Sequence, residues 1–248
     1  MIFSIVITVC NEENSICPLY LSIKDVMGKI GEPYEIIFVN DCSTDGSLDK
    51  LKSIPFSSPN LTVITLKKRY GQSVAMRAGL NIARGELIIT MDGDLQNDPK
   101  DIPKLLEKME EGCEIVCGWR YNRKDSWGKV SISKIICAIR RIITKENVHD
   151  FGCSLRVFKK DLLEHIYFSK SLHILLPLIM FKLGFKIGEV KVIHYPRRFG
   201  TSKYNVFDRL ILIRDFIHIM LFPIFNLKES VMNYEIHRSV QKINTPLY

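Results

Sequence analysis

From Leu87 the chain runs through an unbroken apolar segment, Leu-Ile-Ile-Thr-Met, and then turns at once to Asp92-Gly93-Asp94-Leu95-Gln96-Asn97-Asp98-Pro99. A run without polar alternation reads as a strand buried on both faces, and such strands belong to parallel sheets covered by helices. Proline is favoured in the first helical turn, so the next helix cannot begin much before Pro99, and Asp98 stands where a cap would. The carboxylates therefore fall on the loop at the strand's carboxyl end, where open α/β sheets bind ligands. On an extended backbone Asp92, Asp94 and Gln96 project to one side, so three oxygen-bearing side chains can converge on one hard cation, Mg2+ or Mn2+. Asp-Gly is also an ordinary turn signal, and a solvated turn is the competing reading.

The same rhythm extends over most of the chain. Candidate strands at Ile2–Val9, Tyr34–Val39, Leu61–Leu66, Glu86–Met91 and Glu114–Cys117 alternate with helical patterns at Ser15–Lys29, Ser47–Ser53, Gln72–Arg84 and Ile102–Glu111. Alternation of this kind predicts an α/β fold, a Rossmann-like and mostly parallel sheet with helices on both faces and right-handed crossovers. With 248 residues, 46% of them hydrophobic, the chain can bury a full core, and no repeat or long linker divides its first 200 residues. The expected organisation is one domain over 1–205, an apolar but charge-interrupted amphipathic helix over 206–226, and a polar tail over 227–248.

Seven cysteines, an odd number with no CxxC pair, read as reduced core residues, and Cys113 and Cys117 are expected on one face of a strand. Ile2–Val9 has no basic region before it and leads into Asn11-Glu12-Glu13, so it is expected to be a first strand and not a signal peptide. The formal charge of +8 points to acidic partners, among them nucleotide diphosphates, anionic headgroups and nucleic acid, without choosing between them.

Two further loops fall at strand ends. Thr8-Val9-Cys10-Asn11-Glu12-Glu13-Asn14 comes after the first strand, where Glu12 can hold a base or ribose edge and Asn14 or Ser15 can cap the next helix. Asn40-Asp41-Cys42-Ser43-Thr44-Asp45-Gly46-Ser47 comes after the second, and places Asp41 where doubly wound folds commonly set an acid against ribose or base. Each is weak alone, since any helix amino terminus uses these residues. Their joint occurrence with the acid loop is the signal.

Those loops, with Arg69-Tyr70-Gly71-Gln72, Gly79 to Gly85 and Met91 to Gln96, resemble the inverting family 2 glycosyltransferases of the GT-A fold. Gly118-Trp119-Arg120, Asp125-Ser126-Trp127, Asp150 to Arg156 and Arg197-Arg198-Phe199-Gly200-Thr201-Ser202-Lys203-Tyr204 are similar to the polyprenyl-phosphate branch, which includes dolichol-phosphate mannose synthase and undecaprenyl-phosphate sugar transferases. The resemblance covers roughly residues 1 to 220. It implies that Thr8, Cys10, Glu12, Asp41 and Asp92 bind the nucleotide sugar, and that Asp92, Asp94 and Gln96 surround Mg2+ or Mn2+. It further implies phosphate and acceptor contacts from Arg120, Lys129, Ser133, Arg198, Ser202 and Lys203, with Asp94, Arg120 and Asp150 as the catalytic set. The chain departs from the family in having Thr8 for Pro, Cys10 for Tyr, Cys42 for Gly and Lys129 for Arg, and losing the aromatic at Cys10 leaves UDP or GDP open as the donor nucleotide.

The chemistry so implied is coherent. Displacing a nucleoside diphosphate from C1 of a sugar builds negative charge on the leaving phosphates, which a divalent cation and basic side chains offset. A polyprenyl monophosphate acceptor is already anionic and does not oblige a general base. Were the acceptor a glycan hydroxyl, Asp150 would be the candidate base; a non-catalytic nucleotide-sugar binding subunit is the third reading, and nucleic acid is not among the implied partners. His149 is expected to cap or pack. Leu172–Phe181 is half the ~20 residues of a spanning helix, and Leu210–Phe225 carries Arg214 and Asp215 at its centre. The expectation is a peripheral protein on the cytoplasmic face of the membrane, held by its amphipathic helix or by a membrane-anchoring partner.

Overall fold

A computed structural model describes residues 2–54, 60–121, 148–165, 170–199, 206–221 and 236–242. Its strands are β1 (Phe3–Val9), β2 (Tyr34–Asn40), β3 (Leu61–Leu66), β4 (Leu87–Asp92), β5 (Ile115–Arg120), β6 (Arg156–Lys159), β7 (Ile187–Val192) and β8 (Ile236–Lys242). They form one sheet in the order β7-β5-β6-β4-β1-β2-β3-β8, in which β6 and the edge strand β8 run antiparallel to their neighbours. The described helices are α1 (Ile16–Ile30), α2 (Ser47–Ser53), α3 (Gln72–Ile82), α4 (Ile102–Glu110), α5 (Leu172–Lys182) and α6 (Val206–Leu221).

Strand direction along the chain sets the site. β1 pairs in parallel with β2 on one side and β4 on the other, so the winding reverses between β1 and β4. Connections leave in opposite directions from such a switch point, and a crevice opens at the carboxyl ends. The register places Thr8 opposite Asp92 and Val9 opposite Asn40, which brings the three predicted loops to one rim.

Both sheet faces are covered. Ile5, Ile7, Val9, Phe38 and Ile89 face a core with α1, α2 and α4, whereas Val6, Ile37, Val39 and Ile88 face one with α3, α5 and α6. Gly79 lets α3 lie on the sheet, because a Cβ there would stand 2.5 Å from Val6 Cγ1. Cys113 and Cys117 belong to opposite cores, since β5 begins only at Ile115; strand alternation does not reach Cys113. The six described cysteines are free thiols.

The carboxyl-terminal part differs from the sequence reading. Ile236–Lys242, within the segment read as a polar tail, is β8 and pairs with β3. On α6, Leu212, Phe216, Ile219 and Met220 pack inward, while Ile213, Ile217 and Leu221 stand exposed at 43%, 47% and 72%. The helix is thus apolar on two sides, and its outward stripe sits at i, i+4 and i+8 beside an exposed Arg214. Among the described residues no helix is long and apolar enough to cross a membrane.

Candidate active site

Strand β4 ends at Asp92, and the chain then turns sharply instead of running on extended. Gly93 donates its N–H to the Thr8 carbonyl at 3.0 Å, and a Cβ at Gly93 would lie 2.9 Å from Val9 Cγ2 and 3.0 Å from that carbonyl. Leu95 then adopts a left-handed φ of 59°. This corrects the expectation that alternation carries Asp92, Asp94 and Gln96 to one side. The turn keeps the two carboxylates close enough to repel, but Gln96 reaches sideways: its Nε2 donates to the Tyr195 carbonyl at 3.2 Å.

Desolvation, and after it the charge of Asp94, push the Asp92 carboxyl above its ordinary range, against the lowering effect of Ser154, Arg120 and Arg156. Gln72 Nε2, from the start of α3, donates to Asp92 Oδ1, and the Ser154 hydroxyl is 3.2 Å from the Asp92 N–H. Asp94 is buried and accepts from the Gln96 N–H at 3.1 Å and from Arg197 Nη2 at 2.6 Å. The other Arg197 nitrogen, Nη1, donates to Glu12 Oε1 at 3.0 Å, so a single guanidinium bridges the β1 loop and the β4 loop.

The donor set fits a divalent ion. Two neighbouring carboxylates at the strand end, Asp94 buried and Asp92 partly so, form a hard-oxygen site whose charge a cation would relieve. Among the described residues no third His, Cys, Asp or Glu joins them, so oxygens from a diphosphate and from water would have to complete the shell.

Around this centre the predicted residues that the structure describes take definite places. The Asp41 carboxylate is buried and accepts from the Tyr70 N–H at 2.7 Å and the Gly71 N–H at 2.8 Å, which holds the loop before α3. Glu12 is buried, and Cys10 is half-exposed where β1 ends. Thr8 lines a small cavity with Gln72, Asp92, Ser154, Arg156 and His173. Cys42 has a left-handed φ of 52°, which accounts for the glycine that the resembled family carries there. Ser15 occupies the cap position of α1 but makes no side-chain cap bond. Asp98 does cap, accepting from the Lys100 N–H at 3.0 Å.

Arg120 and Asp150 satisfy each other. Arg120 Nε and Nη2 donate to the two carboxylate oxygens at 2.6 and 2.8 Å, and the N–H groups of Arg120 and Gly152 add bonds at 3.2 and 3.0 Å. Burial works to raise the Asp150 carboxyl, but the hydrogen bonds and charge of Arg120 outweigh it and hold it below the ordinary range. Such a carboxylate is a poor proton acceptor. His149 packs as expected, stacked on Trp119 at 4.0 Å between centroids and bonded to Glu189 at 2.7 Å.

Sequence reading missed Arg197 and chose its neighbour Arg198, which the structure leaves exposed. Nothing local separates two adjacent arginines; only the fastening of residues 193–195 to the acid loop does. Also missed were Gln72, Ser154, His173 and the fully buried Arg156, whose Nη2 donates to the Phe151 carbonyl at 2.7 Å while its Nε has no partner among the described residues. Lys129, Ser133, Ser202 and Lys203 lie outside the described residues.

A family model, glycosyl transferase family 2, matches residues 4–167. The chain belongs to that family. It is 36% identical over 227 residues to the dodecaprenyl-phosphate galacturonate synthase of Rhizobium johnstonii, covering 88% of this chain and 66% of that protein. It is also 36% identical over 216 residues to the undecaprenyl-phosphate 4-deoxy-4-formamido-L-arabinose transferase of Serratia proteamaculans, covering 86% of this chain and 66% of the relative. The chain therefore spans about two thirds of the length of these curated relatives. Among solved structures, glucosyl-3-phosphoglycerate synthase from Mycobacterium tuberculosis in complex with Mn2+, UDP and glucosyl-3-phosphoglycerate superposes with a TM-score of 0.69 over 90% of this chain and 81% of the other. Its identity is 18%, so it establishes the shared GT-A fold.

Proposed function

We propose that this protein transfers a sugar, with inversion, from a nucleoside diphosphate to a polyprenyl phosphate such as undecaprenyl phosphate. The observation that carries the reading is the meeting of Asp92 and Asp94 with Glu12 and Arg197 at the β1/β4 switch point, in a chain whose relatives are polyprenyl-phosphate sugar transferases. Asp92 and Asp94 would hold Mg2+ or Mn2+, which when bound offsets charge on the leaving diphosphate, while Gln96, expected from its spacing to join them, is proposed only to fasten the acid loop to Tyr195. Glu12, Asp41, Thr8 and Cys10 are proposed to receive the nucleoside, and Asp41 fixes the Tyr70–Gly71 turn.

The residues divide the remaining work. Gln72 and Ser154 orient Asp92, so its carboxylate need not reorganise as charge develops. Asp150 holds Arg120 by two of its three guanidinium nitrogens, Nε and Nη2, presetting a cation at the end of β5 for a phosphate. The clamp on Asp150 favours an acceptor that arrives ionised over a glycan hydroxyl, which would need that residue as its base. Lys129, Ser133, Arg198, Ser202 and Lys203 are proposed to meet the acceptor phosphate. The outward stripe Ile213, Ile217 and Leu221, with Arg214 beside it, suits an interfacial position on the cytoplasmic leaflet, alone or with an anchoring partner.

A panel of labelled UDP- and GDP-sugars incubated with undecaprenyl or dolichyl phosphate and Mg2+ or Mn2+, with organic extraction afterwards, tests the reading. One donor should give lipid-soluble label. Label appearing only on an added glycan would replace the acceptor, and binding without turnover of any donor would make the protein a binding subunit.

A further inference from the structure

If the acid pair holds a metal, as proposed for the site, the contact of Arg197 with that pair governs how the site fills. Arg197 carries one positive charge and spans two carboxylates: Glu12 Oε1 at 3.0 Å and Asp94 Oδ2 at 2.6 Å, the latter belonging to a carboxylate proposed to hold the metal. Both acids are buried, whereas the guanidinium is one-quarter exposed, so it can leave toward solvent while they cannot. Its position is preset by the strap before it. The Ile193 N–H donates to Asp101 Oδ2 at 2.7 Å, the Tyr195 N–H to the Gln96 carbonyl at 2.8 Å, and the Tyr195 hydroxyl to Asp98 Oδ2 at 3.1 Å. Gln96 Nε2 returns a bond to the Tyr195 carbonyl at 3.2 Å. The strap is therefore fastened along the acid loop itself, and a change at Asp94 or Gln96 is felt at Arg197.

We propose that Arg197 is an internal cation that occupies the acid site until a divalent metal and a diphosphate replace it. A guanidinium and a divalent cation on the one Asp94 carboxylate would repel each other, so a metal held there would loosen Arg197. A diphosphate arriving with the metal then offers the released guanidinium the planar, two-point anion contact it prefers. Arg197 would oppose the metal when nucleotide is absent and support the nucleotide when metal is present. That gives the site an order: metal alone binds weakly, and metal with nucleoside diphosphate binds tightly.

The two roles predict effects of opposite sign from one substitution. Mn2+ binding is measured at pH 8 by electron paramagnetic resonance on the full chain, and UDP and GDP binding by calorimetry at saturating Mn2+. In Arg197→Gln, Mn2+ without nucleotide should bind at least fivefold more tightly than to wild type, while the preferred nucleotide should bind at least fivefold more weakly. Arg197→Lys, which keeps the charge but cannot span both acids, should move both constants the same way and by less, and serves if the glutamine variant does not fold. Lys29→Gln, which breaks an exposed pair with Asp25 on α1, should move neither. Unchanged or weaker Mn2+ binding in a folded Arg197 variant would overturn the proposal, as would unchanged nucleotide affinity. Wild type that binds no Mn2+ with or without nucleotide would instead overturn the metal-dependent reading on which it rests.

Discussion

Replacing Asp150 with Asn separates a base from a clamp. Four donors reach the Asp150 carboxylate, two of them from the Arg120 guanidinium, and the paired side chains are only 10% and 12% exposed. Asparagine keeps the shape and one acceptor oxygen but turns the second oxygen into a donor facing a guanidinium. Removing one member of a buried pair costs about 3–5 kcal/mol, because the other charge is left uncompensated. Arg120 is nearly rather than fully buried, so Asp150→Asn should cost about 3 kcal/mol, read as a lower urea midpoint with an unchanged slope. The depressed carboxyl adds a pH signature. Its stabilisation is present above the unfolded carboxylate range and is lost as pH falls through the folded value, so the gap between wild type and variant should narrow on acidification. Transfer should fall through misplacement of Arg120, without a new pH dependence in the rate. Wild-type stability combined with abolished transfer would refute the clamp and restore Asp150 as a base.

The same geometry sets other outcomes. Gly93→Ala should lower transfer more than tenfold and cost about 1–3 kcal/mol, since its Cβ would collide with Val9 and the Thr8 carbonyl and displace the acid turn; wild-type activity and melting temperature would show that the turn tolerates a side chain. Cys42→Gly should leave transfer intact and stabilise by up to about 1 kcal/mol by relieving a left-handed cysteine, read by thermal melting. Desolvation, and then the charge of Arg156, depress the His173 imidazole to about 3, so protonation of the unfolded chain below its ordinary 6.5 costs stability as pH falls. His173→Gln should therefore flatten the stability-against-pH slope between about pH 6 and pH 4. Ile213→Asp combined with Ile217→Asp should weaken flotation with anionic liposomes without a change in melting temperature, whereas Phe216→Asp should destabilise, because Phe216 faces the core.

The parts of the fold legible in the sequence are those with local determinants. Unbroken apolar runs and a proline at the start of the helical segment after β4 set β1 to β4 and the entry to α4 within a residue or two, because burial on both sheet faces and helix-start chemistry are written in consecutive residues. The acid loop was legible for the same reason. Strand β6, with four residues, and strand β8 were not, since each owes its pairing to an edge supplied elsewhere in the chain. Gln96 was assigned from alternation that the tight approach of Gly93 to β1 interrupts. Arg197 and Arg198 are equivalent as letters, and only the fastening of the strap over Asp98 and Asp101 decides which meets the acids.

The acids at the end of β4 are proposed to make this chain a metal-dependent sugar transferase onto a lipid phosphate. The most direct measurement tracks lipid-extractable label from the preferred nucleotide sugar and undecaprenyl phosphate, in wild type and in Asp94→Ala at matched melting temperature, with and without chelator. Label should appear in wild type only with Mg2+ or Mn2+ present, with a loss of at least a thousandfold, about 4 kcal/mol of barrier, in Asp94→Ala. Undiminished transfer by Asp94→Ala in chelator would contradict a metal-binding role for these acids.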